Sequence, residues 1–548
     1  MGLKLAGVQS LKRSVSSISN SIFTASRCTA RYLRFPPLFT VSAYLVFISF
    51  LIVSPVSAAL DAAFHFDAWV NFALERLETG GVTGGFHRHT RPRTRRQIAQ
   101  VIRQAQRRIS SEKSEQAPIS IELLEKLQSE FASELARLSG QNDEGSLRAR
   151  GAIELRSSRT NSKLGPAFEG AFYYGSGGWL TLHQEFEVTN LPGKYPSLGS
   201  TASKRLEPWR GDFTADFKRV YLRVPISKLE LLIGRDQLFW GTGFRGAVGI
   251  SDNSPPFDLI LLTGKFGRVR GTSFTAQLDQ TWHDVGPRRY LASRYLAGHR
   301  LDYQINDRVE VGVTELILYG GETRGVEWQY FNPILPYYAS QHNSGSDDNA
   351  MFLFEGAVRP VDGFRLYGEL LIDDVQYVKS DDPNALAWLA GLEWNRALES
   401  RRLGVRAEYA RVNRWAYTHL VQENQYTHFG SIIGHEIGTD ADVSYIEGNY
   451  LISADARINL FFELERQGEA GVEDRFVGED FRSISFPSGV VERRHGFGCR
   501  LVYEPIRAWQ LDLSYQHAYT VNTDHLSSNS QNSNHLEFQF RYLWESGL

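Results

Sequence analysis

The chain has 548 residues, 42% of them hydrophobic and 12% aromatic, with a formal net charge of −2 at pH 7. That balance gives no basic field for a nucleic-acid partner. With only two cysteines, Cys28 and Cys499, a paired-thiolate metal centre is excluded, and no metal or other cofactor is expected.

The first element in chain order is an apolar run from Leu38 to Val53, followed by Ser54-Pro-Val-Ser-Ala58. Lys4, Lys12, Arg13, Arg27, Arg31 and Arg34 precede it, and no acidic residue comes before Asp61. Basic leader, apolar run and small residues at Val56 and Ala58 read as a secretory signal over 1–58, with a single transmembrane anchor as the alternative that the apolar length allows. Its removal takes away six positive charges and leaves a mildly acidic mature chain.

Residues 59–145 are expected to form a small periplasmic helical domain. Ala68–Leu77 places Trp69, Phe72, Ala73 and Leu77 on one face, and Gly80-Gly81 stops that helix. Thr94 is a candidate N-cap for a second helix carrying Ile98, Val101, Ile102, Ala105 and Ile109 in phase. Ser120 is a candidate cap for a third, with Leu124, Leu127, Phe131, Leu135 and Leu138 on its stripe. The basic cluster Arg88, Arg91, Arg93, Arg95, Arg96, Arg103, Arg107 and Arg108 reads first as a helix face paired to nearby glutamates, and second as a contact for an anionic envelope polymer.

From 146 to 548 the hydrophobic period changes from 3.6 to 2. Leu536, Phe538, Phe540, Tyr542 and Trp544 alternate with His535, Glu537, Gln539 and Arg541. Trp509, Leu511, Leu513 and Tyr515 alternate with Gln510, Asp512, Ser514 and Gln516, and similar stretches recur around Leu180, Leu366 and Ile458. Alternation alone does not separate a soluble sandwich from a barrel. An export signal, a long run of strands without intervening helices and an aromatic last strand favour an all-β transmembrane barrel of about 16 to 18 antiparallel strands. The polar face then lines the lumen, with Arg365, Glu369, Asp373, Arg406, Glu408, Arg457, Glu463, Glu465, Glu537 and Arg541 inside. A wet passage and a lumen crossed by ion pairs both fit; the helical domain favours an occluded one.

One stretch stands apart: Gly234-Arg235, then Trp240-Gly-Thr-Gly243, Arg245, and Ser251-Asp-Asn253-Ser-Pro-Pro256. A glycine-rich connection carrying Trp, Arg and Asn suits stacking on a sugar ring and bonding its hydroxyls. A girdle or lumenal role for Trp240 fits equally well. With His299-Arg-Leu-Asp302, Glu315–Gly320, Asn332-Pro333, Tyr337-Tyr338, Asp348-Asn349, Leu366–Glu369, Asp373-Asp374 and Gly434–Gly438, this stretch resembles the capsule-assembly Wzi family. Thr242 stands where that family more often has Pro. The resemblance spans about 150–450 and implies a monomeric outer-membrane barrel of about 18 strands with a periplasmic helical part, acting as a lectin for capsular polysaccharide. The helical segment resembles a degenerate S-layer-homology motif through Trp69-Val, Gly80–Gly84 and Arg91–Arg95, which implies contact with a cell-wall polymer.

Polysaccharide contacts are expected from Arg235, Trp240, Arg245, Asn253, Trp328, Tyr330, Tyr337 and Tyr338, on outer loops 236–257 and 328–349. His435-Glu436 lacks the second histidine of a zinc-protease helix, and no nucleophile elbow or phosphate loop is present. The expected partners are capsular or extracellular polysaccharide and outer-membrane lipid. The expected function is non-catalytic binding or organisation of that polymer at the bacterial surface. A pore or exporter for sugars is the alternative, and an envelope carbohydrate enzyme is the third possibility.

Overall fold

The computed structural model describes residues 68–111, 118–140, 146–157, 164–176, 180–189, 213–285, 287–374, 383–395, 402–474, 476, 478, 484–506 and 509–547. The expected signal, 1–58, lies outside them. The wall strands begin at Ser146 and run to Gly547. We number the wall strands β1 (Ser146–Ser157), β2 (Leu164–Ser176), β3 (Leu180–Thr189), β4 (Thr214–Ile226), β5 (Leu229–Asp236), β6 (Phe257–Phe266), β7 (Val269–Gln277), β8 (Arg288–Asn306) and β9 (Val309–Gly321). The circuit continues through β10 (Asn349–Val361), β11 (Phe364–Asp374), β12 (Ala385–Trp394), β13 (Leu403–Val412), β14 (Ala441–Leu451), β15 (Ala456–Gln467), β16 (Glu492–Tyr503), β17 (Trp509–Val521) and β18 (Ser530–Gly547).

Each strand pairs antiparallel with its neighbour in sequence, and β1 pairs with β18 from Arg148↔Gly547 to Arg156↔Gln539. The sheet is thus a closed barrel of 18 strands, at the upper end of the expected range, and closure leaves no edge to satisfy in lipid. Alternation sets the two faces. On β15, Leu460 is 62% exposed on the outside while Glu463 is fully buried inside.

The two ends differ. At one end the strands join through tight turns, where Gly267 (φ 65°) and Gly363 (φ 90°) adopt the left-handed backbone that a short reversal needs. At the other end the connections are long: 237–256, 278–287, 322–348 and 413–440.

The helices sit at the tight-turn end. Helix α1 (Ala68–Thr79) stops at Gly80-Gly81, and Thr94 caps α2 (Arg95–Ser111) in a reciprocal box with Gln97, both bonds 3.1 Å. The third helix differs from the reading based on Ser120. It starts at Pro118, where the missing N–H costs nothing, and it breaks at Phe131 into α3 (Pro118–Glu130) and α4 (Ala132–Leu138). Trp69, Ala73, Leu77, Ile98, Ile102, Leu124 and Leu127 form their common core. Lys126 Nζ donates to the carbonyls of Ala454 and Glu504, and Arg402 pairs with Glu122 (2.8 Å), tying the helices to the inner turns.

Candidate functional site

Between α1 and α2 the chain enters the lumen. Arg88 lies among the carboxylates of Glu75 (3.1 Å), Glu78 (3.5 Å) and the wall residue Glu393 (2.5 Å). Thr79 Oγ1 donates to Glu393 (2.7 Å) and Thr90 Oγ1 to Asp302 (2.9 Å). His89 is inserted between Glu310 (2.5 Å) and Glu355 (3.1 Å), with Arg365 also facing it. Burial opposes a charge on His89, but the two carboxylates outweigh it and raise its pKa to about 9.

From the opposite end the β5–β6 connection, 237–256, descends into the same lumen. Phe239-Trp240 forms a two-residue ladder with Thr90-Arg91, and the Gly241 N–H donates to His89 O (2.9 Å). Two wall carboxylates receive the loop's backbone donors. Glu369 accepts from the N–H groups of Thr242, Gly243 (2.7 Å) and Val248 (2.8 Å); Glu408 accepts from those of Phe244 (2.6 Å) and Arg245 (3.0 Å). An irregular segment buried without a ladder must find such acceptors. The β13–β14 connection, 413–440, covers it from above. Tyr417 and Tyr426 donate to Val248 O and Gly249 O, and Ser251 N–H donates to Ile433 O (2.9 Å). His435 lies buried in this lid beside Arg245, and both effects push its pKa down to about 3, so the imidazole is neutral.

The eight residues singled out in the sequence therefore do not converge. Trp240 is a correction: it is fully buried, edge-on to Phe274 at 5.0 Å, and cannot stack on a sugar. Asn253 is also buried, its amide spent on Ile432 O (2.9 Å). Arg245 is held by Glu436 (2.9 Å) and Glu463 (2.5 Å). Arg235 points out of the barrel, bidentate to Asp258 (2.8 and 2.7 Å). Tyr330 and Tyr337 are buried, whereas Trp328 is 83% exposed and Tyr338 half exposed. The basic cluster of the helical part is largely paired: Arg91 to Glu75, Arg95 to Glu130 and Glu134, and Arg108 to Asp307.

Sequence reasoning missed the aromatic-cationic pairs at the outer rim. The β7–β8 hairpin continues past Gln277 through Thr281–Val285, paired with Arg288–Ala292. Trp282, 59% exposed, lies there under the Arg289 guanidinium at 5.0 Å. In the lid, Arg414 lies 5.3 Å from the Trp415 ring, which meets Phe476 edge-on at 5.8 Å. The available signal was Trp282 followed closely by Arg288-Arg289-Tyr290 in one short outer connection.

A family model described as capsule assembly protein Wzi matches residues 140–536. The chain belongs to the Wzi capsule-assembly family. As a Wzi-family barrel it is an outer-membrane protein. Among solved structures it is similar to the Escherichia coli Wzi barrel, described as a carbohydrate-binding outer-membrane protein involved in group 1 capsule assembly. That match has 16% identity and a TM-score of 0.60, over 87% of this chain and 98% of that one. It is also similar to the outer-membrane protein OpdK of Pseudomonas aeruginosa, at 11% identity and a TM-score of 0.43, over 73% and 98%. No curated protein matches the chain.

Proposed function

We propose that this Wzi-family barrel binds capsular or extracellular polysaccharide on its outer-loop surface as a non-catalytic, monomeric lectin. The observation that carries this reading is the filled lumen: helical-domain chain from below and loop 237–256 from above meet inside the wall. Both segments stand in the path that a polymer would take through the wall, which disfavours the exporter alternative. Trp282 with Arg289, and Trp415 with Arg414, are the contacts we assign to the sugar. An aromatic face packs on pyranose C–H groups while a guanidinium bonds hydroxyls or uronic carboxylates. The helical part serves as the periplasmic plug; Arg96 and Arg107 are its exposed cations for a cell-wall polymer. Export by a leader ending at Ala58 belongs to the same reading.

The test combines two measurements on the purified barrel. In a planar bilayer we expect no large steady current, and on immobilised host capsular polysaccharide we expect retention that Trp282→Ala weakens. A stable open-channel current without retention would replace the lectin with a pore. Release of new reducing ends from the polymer would replace it with an enzyme.

A further inference from the structure

The β9–β10 connection, 322–348, does not rise above the barrel. It carries two short helices, α5 (Trp328–Phe331) and α6 (Tyr337–Ser344), and these lie against the outside of the wall. The alternation of β8 and β9 locates them. On β8, Leu301 and Tyr303 are exposed to the outside, and on β9 so are Val311 and Val313. Continuing in the same phase, Tyr295 and Ala297 on β8 and Ile317 and Tyr319 on β9 also point outward, yet they are buried, in one cluster with Tyr330 and Tyr337 of the helices.

The wall beneath is built to receive them. One outward rung reads Leu262, Ser273, His299, Glu315, Phe352, Ile372 across β6 to β11. Its flanks are apolar and its three central residues are polar, which would be costly against hydrocarbon. The hairpin caps that notch. Glu315 pairs with His299 (2.8 Å) and accepts the Tyr338 N–H (2.7 Å), while Tyr337 lies on the His299 ring at 4.3 Å. On the next rung Thr275 Oγ1 donates to Tyr330 O (3.4 Å), beside the lipid-facing Ile260. Tyr338 packs edge-on to Phe352 at 6.0 Å, and Phe354 on that strand is exposed outside. Neighbouring strands are only about 4.8 Å apart, so these anchor points stand at the height of the apolar belt.

The surface the hairpin turns away from the wall is apolar. Ile334 is 85% exposed, Trp328 likewise exposed, and Val326, Phe331 and Tyr338 complete the face. From this geometry we infer that 326–338 is an outer-leaflet anchor, a loop inserted among the acyl chains of the surrounding lipid. Its occupant is the hydrocarbon of the outer leaflet, because the patch sits on the lipid side of the wall, level with side chains that face lipid. Trp328 and Tyr338 supply the amphipathic rings favoured at a membrane interface. This inference is independent of the lectin reading and removes Trp328, Tyr330, Tyr337 and Tyr338 from the sugar-binding surface.

The test uses Ile334→Cys and Trp328→Cys, each in a Cys28→Ser, Cys499→Ser background and labelled with nitrobenzoxadiazole. The barrel is reconstituted in phosphatidylcholine nanodiscs with or without acyl-chain doxyl lipid. Leu460→Cys on the wall and Leu420→Cys in the lid are the lipid and water references, and a heat-dependent gel shift reports that each barrel is folded. We expect both hairpin positions to match Leu460→Cys, with blue-shifted emission, loss of intensity to doxyl lipid, and none to aqueous iodide. Iodide quenching like that of Leu420→Cys, with no loss to doxyl lipid, would overturn the anchor. Protection of the label by soluble capsular polysaccharide would overturn it too, and return the hairpin to the sugar surface.

Discussion

Trp240 and Trp282 are the same side chain in opposite settings, and the difference decides what their removal does. Trp240→Ala empties a site bounded by Phe274, Val248 and Ile250 and should cost about 3–5 kcal/mol, seen as a lower melting temperature. Any loss of polysaccharide retention would then follow loss of fold. Trp282→Ala touches an exposed ring, so the melting temperature should stay put while retention falls roughly fivefold, the worth of about 1 kcal/mol of stacking. No local feature of 236–257 separates these cases, because a glycine-rich Trp-bearing loop reads the same folded out or in. What folds it in is Glu369 and Glu408, more than a hundred residues away. His89 gives a second prediction at this scale. Its folded pKa of about 9 lies above the unfolded value near 6.5, so the folded state holds the extra proton between them. Its contribution, on the order of 3 kcal/mol, is complete below pH 6.5 and lost as pH rises through 9. His87 and His435 are depressed to about 4 and about 3 and have the opposite sign, losing stability as pH falls below 6.5. Thermal melts of His89→Gln should lack the alkaline loss and keep the acid one; an unchanged alkaline limb would show that His89 is not protonated in the plug.

At the scale of elements, the strands were legible because the bilayer imposes a period of two, and the N-cap of α2 because Thr94 stands just before its apolar stripe, although the reciprocal bond from Gln97 was not read. The break at Phe131 was not, since the apolar stripe runs unbroken across it. The hairpin on the outer wall did leave a trace. Ser273, His299 and Glu315 occupy outward positions on three adjacent strands, but only the register reveals that the apparent lapses in alternation share one rung. The lumenal loop makes its own prediction. Glu369→Gln with Glu408→Gln replaces half of each acceptor pair by an amide donor facing backbone N–H groups. Each lost charge-assisted bond costs about 1.5–3 kcal/mol, so loop 237–256 should release while the wall stays closed. Limited proteolysis is the measure: new cleavage within 237–256, with the heat-dependent gel shift of the barrel retained. A protected loop in the double variant would mean that the lid over it, and not the carboxylates, holds it down.

For the whole molecule, the two fillings act in series along one axis, so the current is set by whichever remains. Releasing loop 237–256 alone leaves the inner barrier, in which Arg88 ties Glu75 and Glu78 of the plug to Glu393 of the wall. Arg88→Ala removes the one cation that all three buried carboxylates share, leaving Glu75 to Arg91 and Arg406 and Glu393 to Arg365 and Arg406, a change worth several kcal/mol against docking of the plug. The loop variant alone and Arg88→Ala alone should therefore stay electrically quiet or flicker. Their combination should pass a sustained current in a planar bilayer, because the charged wall behind both fillings is a ready aqueous path. The two-residue ladder between Thr90-Arg91 and Phe239-Trp240 couples the fillings, so the combined effect should exceed the product of the single ones. A sustained current from either single variant would mean that one filling alone closes the barrel, and that the other serves to position the outer loops to which we assign polysaccharide binding.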